Sequence, residues 1–265
     1  MIDSNAILEI NTKNLIHNYN SLKKISNKIV CGATIKANAY GIGDNKIFKI
    51  LYKNGCRHFF VATLEEAISI RQSSKKGNLY VLNGLEKNEL NLFYKFNIIP
   101  ILISKEEINI ILKYRKLYEK LKVGIHIETG LNRLGIDVKD LKKNIIKKIK
   151  PIIAISHLAS AEEFKNNYSQ KQNLKFKLFI NNYESIKYKS IANSSGLVQN
   201  SNLHYDLIRP GISLYGGYDN DKIKRLLNIK PVIRLKAKIL QIKIVNKNEF
   251  IGYNQTYKTK KKIKI

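Results

Sequence analysis

Residues 30–35, Val-Cys-Gly-Ala-Thr-Ile, end abruptly on Lys36, behind which come Asn38, Tyr40, Gly41 and Gly43. The first run is small or β-branched, the composition of a short strand buried on both faces. The second is a turn-forming cluster that leads into the amphipathic Ile47, Phe48, Ile50 and Leu51. Lys36 therefore falls at the C-terminal end of a strand, where α/β folds put their chemistry. A lysine desolvated there loses its proton more easily, and only the neutral amine can condense with an aldehyde. The competing reading is a strand-terminal lysine snorkelling to solvent.

Four other groups occupy comparable places. Arg133 lies in the loop E-T-G-L-N-R-L-G after the apolar run 123–127, and His157 follows the run 152–156. Asn193-Ser194-Ser195-Gly196 follows Ile191-Ala192, and Arg209-Pro210-Gly211-Ile212 follows residues 206–208. Each has a plain structural alternative: a satisfied core histidine, an ordinary turn, an arginine in an ion pair. Their joint placement at strand ends points instead to one site.

The elements that must position them alternate along the chain. Short apolar runs at 30–35, 58–62, 79–82, 98–103, 123–127, 152–156, 190–192 and 206–208 are separated by helical patterns. Helices are expected where Leu15, Tyr19, Leu22 and Ile25 recur at spacings of three and four, from Leu64, from about Glu86, from Ser104, over 138–149 and over 162–183. Thr63-Leu-Glu-Glu66 fits a capping box, with Glu66 returning to the cap. Eight short strands with helical crossovers make a parallel sheet, and a closed (β/α)8 TIM barrel suits them better than an open doubly wound sheet. No G-x-G-x-x-G is present, and Gly41-Ile-Gly43 alone is a weak dinucleotide signal.

Beyond Gly217 the pattern changes. From Lys230 the text P-V-I-R-L-K-A-K-I-L-Q-I-K-I-V alternates apolar with basic or polar side chains, the signature of an antiparallel strand with one wet face. The expected organisation is a barrel over 11–225 and the start of a second, mainly β domain over 226–265, with the strand at 1–10 assigned to that second domain.

Composition narrows the function. The formal charge of +28 is mostly lysine spread through helical segments beside abundant Ile and Asn, and basic runs with interleaved aromatics are missing. Only 258–264 is a compact basic block, so nucleic acid is not the expected partner. Cys31 and Cys56 sit in or next to apolar stretches and read as small buried residues of a reducing compartment. The start carries an acid early, with no long apolar core behind it, and the apolar run 98–103 is far too short to span a bilayer. A cytoplasmic protein is expected.

The nine residues I-K-A-N-A-Y-G-I-G at 35–43 closely resemble the cofactor-lysine motif of the alanine racemase family, fold-type III pyridoxal phosphate enzymes. E-T-G-L-N-R-L-G, S-H-L-A-S-A, A-N-S-S-G, L-I-R-P-G-I-S-L-Y-G and G-Y-N-Q-T-Y also look like family motifs, in family order, over nearly the whole chain. The resemblance implies that Lys36 carries pyridoxal 5'-phosphate as a Schiff base and that Tyr40 reaches its phosphate. It implies that Ser194, with neighbouring Asn193 and the backbone of Gly211 and Ile212, holds that phosphate. By the same resemblance Arg133 bonds the cofactor's phenolic oxygen and contacts substrate, His157 packs by the ring and steadies Arg209, and Arg209 faces the pyridine nitrogen. An arginine stays protonated far above neutral pH, so it weakens the electron sink and limits diversion into transamination. Racemisation needs two bases on opposite faces of the cofactor. The resemblance assigns one face to Lys36 and the other to Tyr253, contributed by the second subunit of a head-to-tail homodimer. The implied reaction interconverts L-alanine and D-alanine, supplying D-alanine for peptidoglycan.

Two departures stand out. A carbamylated lysine is frequent in the family seven residues before the loop arginine, and that position here is His126. Arg133 then either lacks an anionic partner or borrows a chloride. Family members also run on for roughly a hundred further residues, an ordinary domain length. The alternatives carried beside the racemase are a cofactor-binding truncated fragment without turnover and a fold-type III amino-acid decarboxylase. Arg209 argues against the decarboxylase, because those enzymes generally place an acid at the pyridine nitrogen.

Overall fold

The computed structural model describes residues 4–26, 29–219 and 221–265. The chain divides into two compact units, Ile10–Val232 and Met1–Glu9 with Ile233–Ile265. Along the sequence the strands are β1 (Ala6–Ile10), β2 (Val30–Cys31), β3 (Ala33–Thr34), β4 (His58–Val61), β5 (Asn78–Val81), β6 (Ile99–Leu102), β7 (Gly124–His126) and β8 (Ile153–Ile155). They continue with β9 (Tyr188–Ser190), β10 (Leu207–Ile208), β11 (Ile233–Ala237), β12 (Ile244–Val245), β13 (Phe250–Ile251), β14 (Tyr257–Lys258) and β15 (Ile263–Lys264).

In the larger unit β3 to β9 form one parallel sheet in chain order, and β10 pairs in parallel with β2. β2 and β3 are a single stave parted at Gly32, whose amide bonds the Ile208 carbonyl at 3.0 Å. The Asp206 and Arg209 amides bond the Lys189 and Ala192 carbonyls at 3.1 and 2.9 Å, joining the last stave to β9. The ring thus closes as the expected eight-stave (β/α)8 barrel.

Alternation along each stave sorts its side chains. Phe59, Leu79 and Ala154 face the helices, while Phe60, Tyr80, Ile99, Ile101, Ile153, Ile155 and Leu207 form a separate buried cluster that fills the lumen. Gly124 shows how tight the lumen is: a β-carbon there would collide with the side chains of Ile101 and Ile153. Outside, the helix Thr12–Ser26 buries Leu15, Tyr19 and Leu22, one face at helical spacing. Each large apolar side chain so buried contributes about 1.5–3 kcal/mol.

Several expected helices differ in extent. The one expected over 162–183 is Tyr168–Ile180, because the Asn166 carboxamide accepts the Tyr168 amide at 2.8 Å and starts the helix there. The stretch 138–149 is a 3-10 turn, Val138–Asp140, followed by the helix Lys143–Ile149, and near residue 86 the 3-10 turn Lys87–Glu89 precedes Leu90–Lys95. At Thr63 the hydroxyl does accept the Glu66 amide, at 3.4 Å, but the reciprocal half of the capping box is absent. Glu66 instead accepts the amides of Ala62 and Ala37.

The division between units falls after Val232. Leu227, Ile229 and Val232 belong to the core of the larger unit, which carries the chain past residue 226 before the change of style takes effect. In the smaller unit β1 pairs with β11, and β12–β15 and β13–β14 are antiparallel pairs. The alternation from Lys230 predicts a strand with one dry face, but every residue of β11 is exposed, and Leu235 and Leu240 are 72 % and 79 % exposed. Among the described residues this unit supplies no layer to cover that face.

Candidate active site

The inward-facing alternation places the chemistry. Thr34, His126, Ile155 and Ser190 continue the lumen side of their staves, and Lys36 and Arg209 extend β3 and β10 beyond their last paired residues. Thr34, Lys36, His126, Ile155 and Arg209 line a cavity of about 380 Å³ at the C-terminal ends of the strands. Lys36, Tyr40, Arg133, His157 and Arg209 line it, as do Asn193, Ser194, Gly211 and Ile212. One site therefore gathers all the expected barrel residues. Tyr253 lies in the smaller unit and is 96 % exposed.

Lys36 opens an uncommon backbone feature. Ala37, Asn38, Ala39 and Tyr40 all have φ between 53° and 56°, a full left-handed turn without glycine. Such a turn costs roughly 1–2 kcal/mol per residue and must be held by its surroundings. Ala39 donates to the Ile35 carbonyl at 2.9 Å, Gly43 to the Asn38 carbonyl at 2.9 Å, and Asp44 to the Asn38 side chain at 3.0 Å. The Ala37 amide goes to Glu66 Oε1 at 2.6 Å. The turn brings both Lys36 and Tyr40 to the cavity, and Tyr40 packs against Tyr215 with ring centroids 4.8 Å apart.

Arg209 is buried, and its guanidinium donates to Ser190 Oγ and to the Ser156 carbonyl. Burial lowers its pKa to about 9, still cationic at neutral pH. Its hydrogen bonds thus go to two serines, while the His157 carbonyl accepts from Gln172 Nε2 at 2.9 Å. Gln172 is fully buried and also bonds Thr129 Oγ1, at 3.3 Å, and the Ala159 amide, at 2.9 Å. Thr129 Oγ1 and Ser156 Oγ share a further hydrogen bond of 2.7 Å. One side chain thus ties the Arg133 loop to the His157 loop.

Ser194 Oγ accepts the amides of Gly211 at 3.1 Å and Ser213 at 3.4 Å, so a hydroxyl and two backbone N–H groups converge beside Tyr40. Asn193 caps the helix Ser194–Gln199 by accepting the Gly196 amide at 2.8 Å. Burial first, then the charges of Arg209 and Arg133, push both His126 and His157 down to about 3, so both are neutral. Neutral His126 gives Arg133 no counter-charge. Lys36, Arg133 and Arg209 form no ion pair among the described residues, and there no group of three His, Cys, Asp or Glu side chains could hold a metal.

Sequence reading missed Glu66, Gln172 and the Ser195–Asp219 hydrogen bond at the cavity wall. Glu66 carried a signal, a carboxylate in the first turn after a strand end, which the capping box absorbed. Gln172 carried only its place in a helical pattern.

A model of the alanine racemase N-terminal domain matches residues 10–219. Alanine racemases of Rickettsia africae and Rickettsia canadensis are 34 % and 35 % identical over 263 residues, covering 96 % of this chain and 71 % of theirs. A crystal structure of alanine racemase from Bartonella henselae with covalently bound pyridoxal phosphate superposes with a TM-score of 0.86 at 30 % identity, covering 99 % of this chain and 74 % of that one. With the domain model spanning the barrel and these relatives spanning almost all of the rest, the chain belongs to the alanine racemase family.

Proposed function

We propose that the cavity is the active site of a pyridoxal phosphate-dependent racemase that interconverts L-alanine and D-alanine and so supplies D-alanine for peptidoglycan. The observation that carries the reading is the convergence on one cavity of an amine, two guanidiniums without carboxylate partners and a hydroxyl-plus-amide cluster. The residues fit the cofactor. Ser213 Oγ is buried with no hydrogen-bond partner, beside the Ser194 hydroxyl that its own amide reaches, a polar corner suited to phosphate. Lys36 would supply the amine for the aldehyde, Tyr40, Asn193, Ser194, Gly211 and Ile212 would hold the phosphate, Arg133 would donate to the phenolic oxygen and the substrate, and Arg209 would be a fixed cation for the pyridine nitrogen. His157, on the cavity wall, would pack beside the ring.

When bound, the cofactor supplies an electron sink that acidifies the substrate's α-hydrogen. Lys36 Nζ takes or returns that proton on one face. Tyr253 Oη does so on the other, presented by the partner subunit of a head-to-tail homodimer, a role that its 96 % exposure supports. Arg209 cannot accept a proton, so it discourages charge build-up at the ring nitrogen and with it transamination. The chemistry is assigned to the cytoplasm, and no described helix is long and apolar enough to cross a membrane.

Chiral chromatography of L-alanine incubated with the protein and pyridoxal phosphate tests the reading. D-alanine should form, and Lys36→Ala should abolish it. No conversion by the wild-type protein overturns the proposal.

A further inference from the structure

We infer that Glu66 is a positioning residue for Lys36, its carboxylate taking over the strand ladder at the residue where the chain turns left-handed. The inference rests on the reading of Lys36 as the cofactor lysine. Parallel pairing of the first two staves ends with the Ile35 amide bonded to the Phe60 carbonyl at 2.8 Å. Continuing that ladder, the Ala37 amide would meet the Ala62 carbonyl. It does not: the Ala62 carbonyl accepts the Asn83 amide at 3.1 Å, and the Ala37 amide goes to Glu66. Glu66 replaces the missing partner: Oε1 accepts the Ala37 amide at 2.6 Å and Oε2 accepts the Ala62 amide at 2.7 Å. One carboxylate therefore bridges the ends of two neighbouring staves, just where four non-glycine residues take up φ of 53–56°.

The chemistry calls for a carboxylate. Two N–H groups must each meet an acceptor, and an ionised carboxylate is acceptor on both oxygens. A carboxamide offers one acceptor and one donor, so its NH2 would face an N–H. Released from Glu66, Ala37 is free to leave the left-handed region, and the backbone that aims Lys36 and Tyr40 into the cavity goes with it. Glu65, next in sequence, is exposed and makes no such bridge.

The test compares the cofactor-free wild-type protein with Glu66→Gln, Glu66→Asp and Glu65→Gln. Amide hydrogen exchange of residues 37–40 is followed by mass spectrometry. Borohydride trapping of added pyridoxal phosphate on the Lys36 peptide is timed in parallel. Glu66→Gln should exchange at least tenfold faster in that segment alone and trap at least tenfold more slowly, with Glu65→Gln like wild type. Glu66→Asp, with its charge kept but its reach one methylene shorter, should fall between, and it carries the comparison should Glu66→Gln not melt cooperatively. Wild-type exchange in the Glu66 variants, or loosening spread across the whole barrel, overturns the inference. Failure of the wild-type protein to trap at Lys36 would reject the cofactor-lysine reading separately, since the exchange measurement needs no cofactor.

Discussion

The phenol oxygen of Tyr40 stands where a β-carbon on Gly211 would have to be. The left-handed turn after the first stave and the loop after the last one therefore meet in direct contact, and glycine is what lets them. Tyr215 braces the contact from behind, its hydroxyl donating to the Thr34 carbonyl at 2.8 Å. The closure of the barrel also closes the corner of the cavity proposed for phosphate.

Gly211→Ala is expected to fold but to push Tyr40 aside, because the obstacle is the tip of a rotatable side chain rather than backbone. Cofactor affinity should fall about tenfold, equivalent to about 1.4 kcal/mol. Calorimetric titration with pyridoxal phosphate measures it, and an unchanged affinity would remove Tyr40 from the phosphate site.

Ser190→Ala strips a buried cation of one of its two acceptors. Urea unfolding of the cofactor-free protein should show a loss of about 1–3 kcal/mol, the cost of leaving a buried polar group unpaired.

Gln172→Leu keeps the volume but removes the bonds to the Ala159 amide, the His157 carbonyl and Thr129. Each group left unpaired costs about 1–3 kcal/mol. Beyond lost stability, the variant should trap pyridoxal phosphate at Lys36 normally and still racemise more slowly, since it loosens the Arg133 and His157 loops and not the lysine turn.

Acid should destabilise the cofactor-free protein from about pH 6.5 downward. Burial pushes His126 and His157 down to about 3 and His58 down to about 4 from an ordinary 6.5. Below 6.5 the unfolded chain binds protons that these folded histidines refuse, so their contribution is complete above that pH and is lost as pH falls. Glu107 works the other way: burial raises it to about 7, so its contribution is complete below its ordinary 4.5 and is lost as pH rises through 7. Three histidines outweigh one glutamate, and each fully titrating group contributes a slope of about 1.4 kcal/mol per pH unit. Urea midpoints between pH 6.5 and 5 should therefore drop with acid, more steeply in Glu107→Gln and less steeply in a His126→Asn, His157→Asn double variant.

The sequence alone determined the eight staves, their parallel order and the residues at their ends. Burial on both faces demands short apolar runs, and a parallel crossover demands a helix between them, so both leave a local pattern. It also specified the lysine, the two arginines and the serine of the cavity, because they sit at strand ends wherever the runs are drawn. Only the tertiary structure decided what holds them. Glu66 reads locally as a capping residue, yet its carboxylate serves Ala37, 29 positions earlier. Gln172 reads as one polar residue in a helix, yet it joins two loops of the cavity wall. The apolar alternation after Lys230 reads as a strand with a dry face, yet that face is exposed in β11. A periodic pattern records which face a residue turns toward, whereas its partner across space depends on how distant segments are brought together, and that information is in no short stretch of chain.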